Sequence, residues 1–314
     1  MSEKMKKKER FDLFITNALE VLKSKDDKLK SKFIEENQEL VDEFVHRDTF
    51  IIKMDNLIKN YETLHHHDNY EILYIKKGEY RFYVDEKIYD VKPGDILLIT
   101  PNTLHKLEMN DNKENERIVI SFSEKILDKL STTYTSFSDI FTHIEETKNY
   151  LTRLTDESKV KIEFHLNKLL KYQFSDEFGE DLLFNANFAM MLLEIYHIIN
   201  NQDTNEYVYE NKLVTKCIDY VMNNLSKDIS IDDIARVTNV SASTVSHTFK
   251  NTTGTSLHRY IIKKRLIEAK KLIRNNVDFV SIYSMCGFND YSSFFRTFKK
   301  EYGITPKEYK MRVR

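Results

Sequence analysis

The 314-residue chain is poor in residues that punctuate or cross-link a fold: two cysteines, three prolines, six glycines and no tryptophan. Two thiols, Cys217 and Cys286, are too few for a disulfide framework or a cysteine-based zinc site. Each falls in a helical apolar pattern and reads as a small buried hydrophobe in a reducing compartment. Scarce Gly and Pro exclude collagen-like and low-complexity chains. A hydrophobic content of 41% excludes wholesale disorder. No apolar run reaches the ~18–20 residues of a membrane span. The best stretch, 186–199, is short and holds Asn187 and Glu194. The lysine-rich start leads into FDLFITNALE, where Asp12 and Asn17 interrupt any signal-peptide core. The expectation is a cytoplasmic protein with no membrane partner.

What is present is charge, unevenly placed. Residues 211–314 hold 19 Lys and Arg against 9 Asp and Glu, whereas residues 1–210 hold 29 against 41. A formal net charge of −2 thus hides a basic C-terminal third on an acidic remainder. Such asymmetry points the basic part at a polyanion.

Hydrophobic periodicity divides the chain. Residues 1–48 read as an N-terminal helical extension, with Phe11, Phe14, Ala18 and Leu22, then Leu29, Phe33, Leu40, Val41 and Phe44, at helical spacing. Over 49–122 the period changes to two. YEILYIK, EYRFYV, IYDV and ILLIT are separated by KGE, DEK and KPGD, the pattern of a small antiparallel sandwich or barrel. Within the first of these strands Glu71, Leu73 and Ile75 share one face, and Ile72 and Tyr74 the other. Both faces are largely apolar, so the sheet is expected to be covered on two sides. Residues 123–200 return to helical spacing, and 181–199 is apolar almost all round, as in a buried helix or one shared between subunits. The polar stretch 201–211 reads as a linker. Everything from 212 to 314 reads as short helices. The fold class is α+β: an antiparallel β-barrel with flanking helices, then an all-α domain.

IDDIARVTNVSASTVSHTFK (231–250) is a helix, a tight turn and a second helix. Ile234, Ala235, Val245 and Phe249 point inward, and Val240 sits in the turn. Ser243, Thr244, Ser246 and His247 point out, as on the second helix of a helix-turn-helix entering the DNA major groove. About 50 residues later the pattern recurs in VSIYSMCGFNDYSSFFRTFKK (280–300), with TFK repeated at 248–250 and 297–299. Between the copies, about 257–275 forms a helix of ~29 Å at ~1.5 Å per residue. That is close to the ~34 Å between successive major grooves on one face of B-DNA.

Residues 211–314 resemble the DNA-binding domain of the AraC/XylS-type (arabinose-regulator) transcription factors. The resemblance rests on GTSLHRYIIKKRLIEAKKLI (254–273) and IYSMCGFNDYSSFFRTFKKEYGITPKEYK (282–310). It implies helix-turn-helix motifs at about 231–251 and 280–302. Base readout falls to Ser243, Ser246, His247, Tyr291, Ser292 and Arg296. Lys250, Lys299 and Lys300 grip phosphates, which positions the domain without reading sequence. Two departures stand out. Tyr283 occupies a position where a small Ala is usual, and His247 one where Arg is frequent, which weakens a bidentate guanine contact there. Arg296 has a structural alternative, pairing with an acid such as Asp290.

The motif H-x-H-x-x-x-E in HHHDNYEILYIKKG, followed by Pro93-Gly94-Asp95 and by PNTLH ending at His105, resembles the cupin barrel that such regulators often carry as a sensor. The leading Gly of the first motif and the Gly between Pro101 and His105 are missing. The resemblance implies a small-molecule effector pocket, with His65, His67, Glu71, Tyr74, Phe82, Tyr83 and His105 as candidates and no metal. The alternative left open is a divalent transition metal on His65, His67, Glu71 and His105, a donor set that suits Mn, Fe, Ni or Zn.

The function this implies is sequence-specific regulation of transcription by a non-enzyme, responsive to an effector. Its partners are double-stranded DNA, RNA polymerase and a second copy of the chain, paired through 123–200. Two alternatives remain at this point: a metal-dependent cupin enzyme with a DNA-binding appendage, and a regulator whose barrel only dimerises.

Overall fold

The computed structural model describes residues 49–55, 64–85, 87–109, 114–173, 175, 177–201 and 209–312. The helices expected over 1–46 lie outside them.

Among the described residues, nine strands form two antiparallel sheets. The first has the order β1 (Thr49–Asp55), β7 (Glu116–Phe122), β2 (Tyr70–Lys77), β5 (Asp95–Ile99), β8 (Leu151–Arg153). The second has the order β6 (His105–Met109), β3 (Tyr80–Val84), β4 (Lys87–Val91), β9 (Tyr209–Glu210). Their alternating residues meet in one core that joins Leu73 and Ile75 to Phe82, Val84, Tyr89 and Leu107. The other face of the first sheet is apolar too, because helices cover it. These are α1 (Glu124–Leu130), α2 (Ser138–Thr147), α3 (Asp156–Tyr172) and α4 (Glu180–Asn200). Phe122 packs against Phe141 of α2 and Phe188 of α4 at ring separations of 5.6 and 5.2 Å.

Helix α4 buries Phe188, Met191, Leu192, Ile195 and Ile199 and exposes Leu182, Met190 and Tyr196. By length and composition it is the described helix apolar enough to cross a membrane, which the run-length reading did not expect. The stretch expected to be a linker ends in structure. Tyr209 and Glu210 pair with Ile88 and Lys87 as β9. Asn211 then caps the next helix by accepting the backbone N–H groups of Leu213 and Val214.

The C-terminal helices are α5 (Lys212–Asn223), α6 (Ile231–Thr238), α7 (Ala242–Thr253), α8 (Leu257–Arg274), α9 (Phe279–Met285), α10 (Tyr291–Tyr302) and α11 (Pro306–Arg312). Side-chain caps start most of them: Ser230, Ser241, Ser256, Asp278 and Asp290 each accept a backbone N–H three residues on. Each such cap is worth ~1 kcal/mol to helices too short to form alone. Two small cores result. One gathers Val214, Cys217, Ile218, Val221, Ile234, Val245 and Phe249. The other gathers Ile282, Cys286, Phe288, Phe294, Phe298 and Tyr309. Helix α8 belongs to both, giving Leu257, Tyr260 and Ile261 to the first and Leu266, Ala269 and Ile273 to the second. Both thiols are free and buried, and burial pushes Cys217 up to about 11 and Cys286 up to about 12.

Candidate functional site

Two surfaces carry chemistry, one built on exposed helices and one buried in the barrel. On α7, Val245 and Phe249 are fully buried, and the same 3.6-residue period turns Ser243, Thr244, Ser246, His247 and Lys250 to solvent. On α10, Phe294 and Phe298 are buried while Tyr291, Ser292, Arg296, Lys299 and Lys300 are exposed. Every residue assigned to DNA from the sequence therefore lies on a solvent face of one of two capped helices. Asp290 is occupied as the cap of α10, accepting from Ser293 N–H at 2.8 Å. Arg296 donates from Nε to the Ser292 carbonyl at 3.3 Å and faces solvent, rather than taking the alternative of pairing with Asp290. Tyr283, the departure from a small residue, lies edge-on to Tyr291 with ring centres 6.5 Å apart.

In the barrel, Glu71 sits on the inner face of β2, opposite Ile99 and Ser121. Its Oε2 is 2.7 Å from His67 Nε2, and His67 Nδ1 is 2.8 Å from the Asn69 carbonyl. Burial alone would raise the Glu71 carboxyl, but the hydrogen bond and charge of His67, with His105 and His65 beyond, hold it down at about 2. Burial likewise opposes charge on His67, and the Glu71 carboxylate outweighs it and raises His67 above its ordinary value. His105 is driven down to about 3 by burial and by the neighbouring His65, so it is neutral at pH 7. Its ring lies 4.3 Å from that of His65, 5.0 Å from His67 and 6.0 Å from Phe82.

Two of the expected pocket residues face elsewhere. The Tyr74 hydroxyl donates to Glu163 of α3 at 2.5 Å, on the helix-covered side of the sheet. Strand alternation explains this, since Tyr74 is an odd number of residues from Glu71. Tyr83 is opposite Lys106 in the sheet register, whose ammonium lies 4.7 Å from its ring, on the face away from Phe82. The candidates that lie together inside the barrel are therefore His65, His67, Glu71, Phe82 and His105.

His66 points out of this cluster and meets the Tyr302 hydroxyl of α10 at 3.1 Å. Burial, then the charges of Lys270 and Lys263, depress it to about 2. Around it the barrel docks on α8. Asp85 pairs with Lys264 at 2.9 Å, Asn102 accepts from Lys270 at 3.0 Å, and Asp68 contacts both Lys270 and Arg274, the latter at 3.3 Å. Leu64 and Leu104 join the core of the first helix-turn-helix. Sequence reading missed this dock. A local signal existed, because Lys263 and Lys270 fall on the buried stripe of α8 with Tyr260, Leu266 and Ile273.

The chain matches known families over most of its length. Residues 59–206 match the family described as AraC-like ligand binding domain, and residues 234–312 the family described as helix-turn-helix domain. The transcriptional activator RhaR of Mannheimia succiniciproducens is 25% identical over 250 residues, 79% of this chain and 87% of that one. The activator RhaS of Escherichia fergusonii is 23% identical over 261 residues, 78% and 86% of the two chains. An apo ToxT variant from Vibrio cholerae is 13% identical and covers 86% of this chain and 99% of its own, with a TM-score of 0.38. RhaR and RhaS are named as transcriptional activators, and the enzyme alternative falls. Two exposed recognition helices on a basic domain, behind a ligand-binding barrel, place the chain in the AraC family of DNA-binding transcription regulators.

Proposed function

We propose that the chain works as a cytoplasmic homodimer whose barrel, on binding an effector, changes how the two DNA-reading motifs are presented. In this reading Ser243, Ser246, His247, Tyr291, Ser292 and Arg296 read bases, and Lys250, Lys299 and Lys300 hold phosphates. The observation that carries it is the way α8 is embedded in both helical cores while both recognition faces stay open. A rod fixed at both ends sets the spacing of two reading heads, and 18 residues make it ~27 Å long.

The dock supplies a route for the signal. Asp68 and Asn102 lie within three residues of His67 and His105, and both touch α8. An effector that prefers one arrangement of these loops shifts the population between docked and released DNA-binding domains. The exposed apolar residues Val160, Phe164, Leu182, Leu183, Met190 and Tyr196 of α3 and α4 support a second copy of the chain as the partner covering that face. RNA polymerase as a further partner is supported by the relatives' being named activators. The test is a mobility-shift salt titration on target DNA with sedimentation of the free protein. A steep fall in affinity with salt and a dimer are expected; flat affinity, or a monomer throughout, contradicts the reading.

A further inference from the structure

The barrel interior holds a positive charge that the acids around it do not offset. Arg117 of β7 is 2% exposed. It stands opposite Ile75 of β2, four residues from Glu71, and so points to the inner face of the first sheet. Its guanidinium lies 5.8 Å from the centre of the Tyr80 ring on the second sheet. Burial raises the Tyr80 hydroxyl above its ordinary value, and the guanidinium pulls against that. Among the described residues no acid forms an ion pair with Arg117, because the acids beside it are taken. Asp95, on the same face, holds Arg153 at 2.8 Å, and Glu116, on the opposite face of β7, holds Lys76 at 3.0 Å. An arginine does not shed its proton, and a charged side chain is almost never fully buried unless paired. The attraction of one tyrosine face is small against the cost of taking a cation out of water. The inner core is also least closed on this side. Leu107, Met109 and Val119 keep some exposure, whereas Ile75, Tyr80 and Val84 have none.

We infer that Arg117 binds the effector, and that the effector is a small organic carboxylate. The carboxylate faces the guanidinium, and its hydrocarbon part lies along Phe82, Leu107 and Val119. A fork of N–H donors matches two carboxylate oxygens in one plane. One guanidinium offsets one negative charge, whereas a phosphate group brings about two. The level of Arg117 is ~13 Å along the strand from that of Glu71, at ~3.3 Å per residue. A short acid therefore reaches Arg117 without touching the histidines. The inference rests on the effector reading above and adds the chemical class of the ligand.

Tag-free full-length protein is titrated with benzoate and octanoate, with benzyl alcohol and octanol as their uncharged counterparts, and with inorganic phosphate. Binding is followed by calorimetry and by the melting temperature. For wild type, at least one carboxylate is expected to bind ~10-fold or more tightly than its alcohol and to raise the melting temperature. Arg117→Met is expected to bind acid and alcohol within about threefold of each other. Without ligand it is expected to melt at or above wild type, since an apolar side chain of similar length removes an unbalanced buried charge. Arg117→Lys keeps the charge and loses the fork, and is expected to lie between the two. Neither carboxylate preferred over its alcohol, or a preference that survives Arg117→Met, overturns the proposal. So does a ligand-free Arg117→Met that melts well below wild type, which would make Arg117 a structural residue. Phosphate bound more tightly than both carboxylates overturns it as well. A mobility shift on the same samples keeps the proposal separate from the regulatory reading. DNA binding retained with no carboxylate preference refutes the carboxylate site alone. A carboxylate that binds through Arg117 without changing the shift refutes the effector reading and leaves the carboxylate site.

Discussion

The two helix-turn-helix motifs share a geometry and differ in chemistry. Helices α7 and α10 each have 12 residues, start at a side-chain cap (Ser241, Asp290) and stop at a left-handed glycine (Gly254, Gly303). Aligned on their caps, the second positions are Ser243 and Ser292, and the ninth are Lys250 and Lys299. The sixth is His247 in one and Arg296 in the other. The first is Ala242 against Tyr291, and the tenth Asn251 against Lys300. The same frame therefore presents a nearly uncharged reading face once and a cationic, aromatic one once. A guanidinium forms a bidentate pair with guanine, which an imidazole ring lacks the fork geometry to match. If both helices read bases as proposed, most of the sequence discrimination is expected from the second motif and a smaller share from the first. The turns differ as well. Asn239 takes the left-handed position in the first, at φ 57°, and Gly287 in the second, at φ 77°. A Cβ on Gly287 would lie 2.4 Å from the Leu225 carbonyl and 2.9 Å from Arg265 Nη2. That guanidinium is itself fixed, donating to the Leu225 and Lys227 carbonyls at 3.1 and 2.6 Å.

The largest expected effect is on the turns. Gly287→Ala combines a left-handed backbone with a backbone clash and is expected to cost ~3 kcal/mol or more in chemical denaturation. Asn239→Ala, with strain alone, is expected to cost ~1–2 kcal/mol. Equal costs would break the distinction. Next is recognition: Arg296→Ala is expected to weaken specific binding by ~1–3 kcal/mol, and His247→Ala by ~1 kcal/mol or less. If Arg296→Ala lost as much on random DNA, Arg296 would be reassigned to a phosphate. Lys299→Ala is expected to weaken all sequences alike and lower the salt slope by about 1.

A further effect concerns the dock, where Lys264 of α8 pairs with Asp85 of the barrel. Burial opposes charge on Asp85, but Lys264 and the Tyr150 hydroxyl hold its carboxyl below the ordinary 3.8. A depressed acid stabilises the folded form above its unfolded value and loses that contribution as pH falls through the folded one. Asp85→Asn is therefore expected to cost ~1–2 kcal/mol near pH 7. The cost should fade below about pH 4. A pH-independent cost would show that the ion pair does not hold the dock.

The motifs were legible in the sequence because their determinants are local. Caps, helical period and turn residues lie within five positions of one another, and the structure places them where that reasoning does. The cluster was half legible. His67 and Glu71 meet four residues apart, and His105 comes from the start of the distant strand β6. The period-2 rule separates Tyr74 from Glu71 and Tyr83 from its neighbour Phe82, so one pocket does not take all four. The dock was legible only as buried lysines on one stripe of α8, without their partners. Asp85 with Lys264 and Asp68 with Lys270 are pairs 179 and 202 residues apart, and no local pattern names such partners.

The central claim is that one helix spaces two reading heads along DNA, and hydroxyl-radical footprinting of a single bound half-site tests it directly. Two protected patches on the same face of the duplex, ~10–10.5 base pairs apart, are the expected result. A single patch, or two on opposite faces, would contradict it.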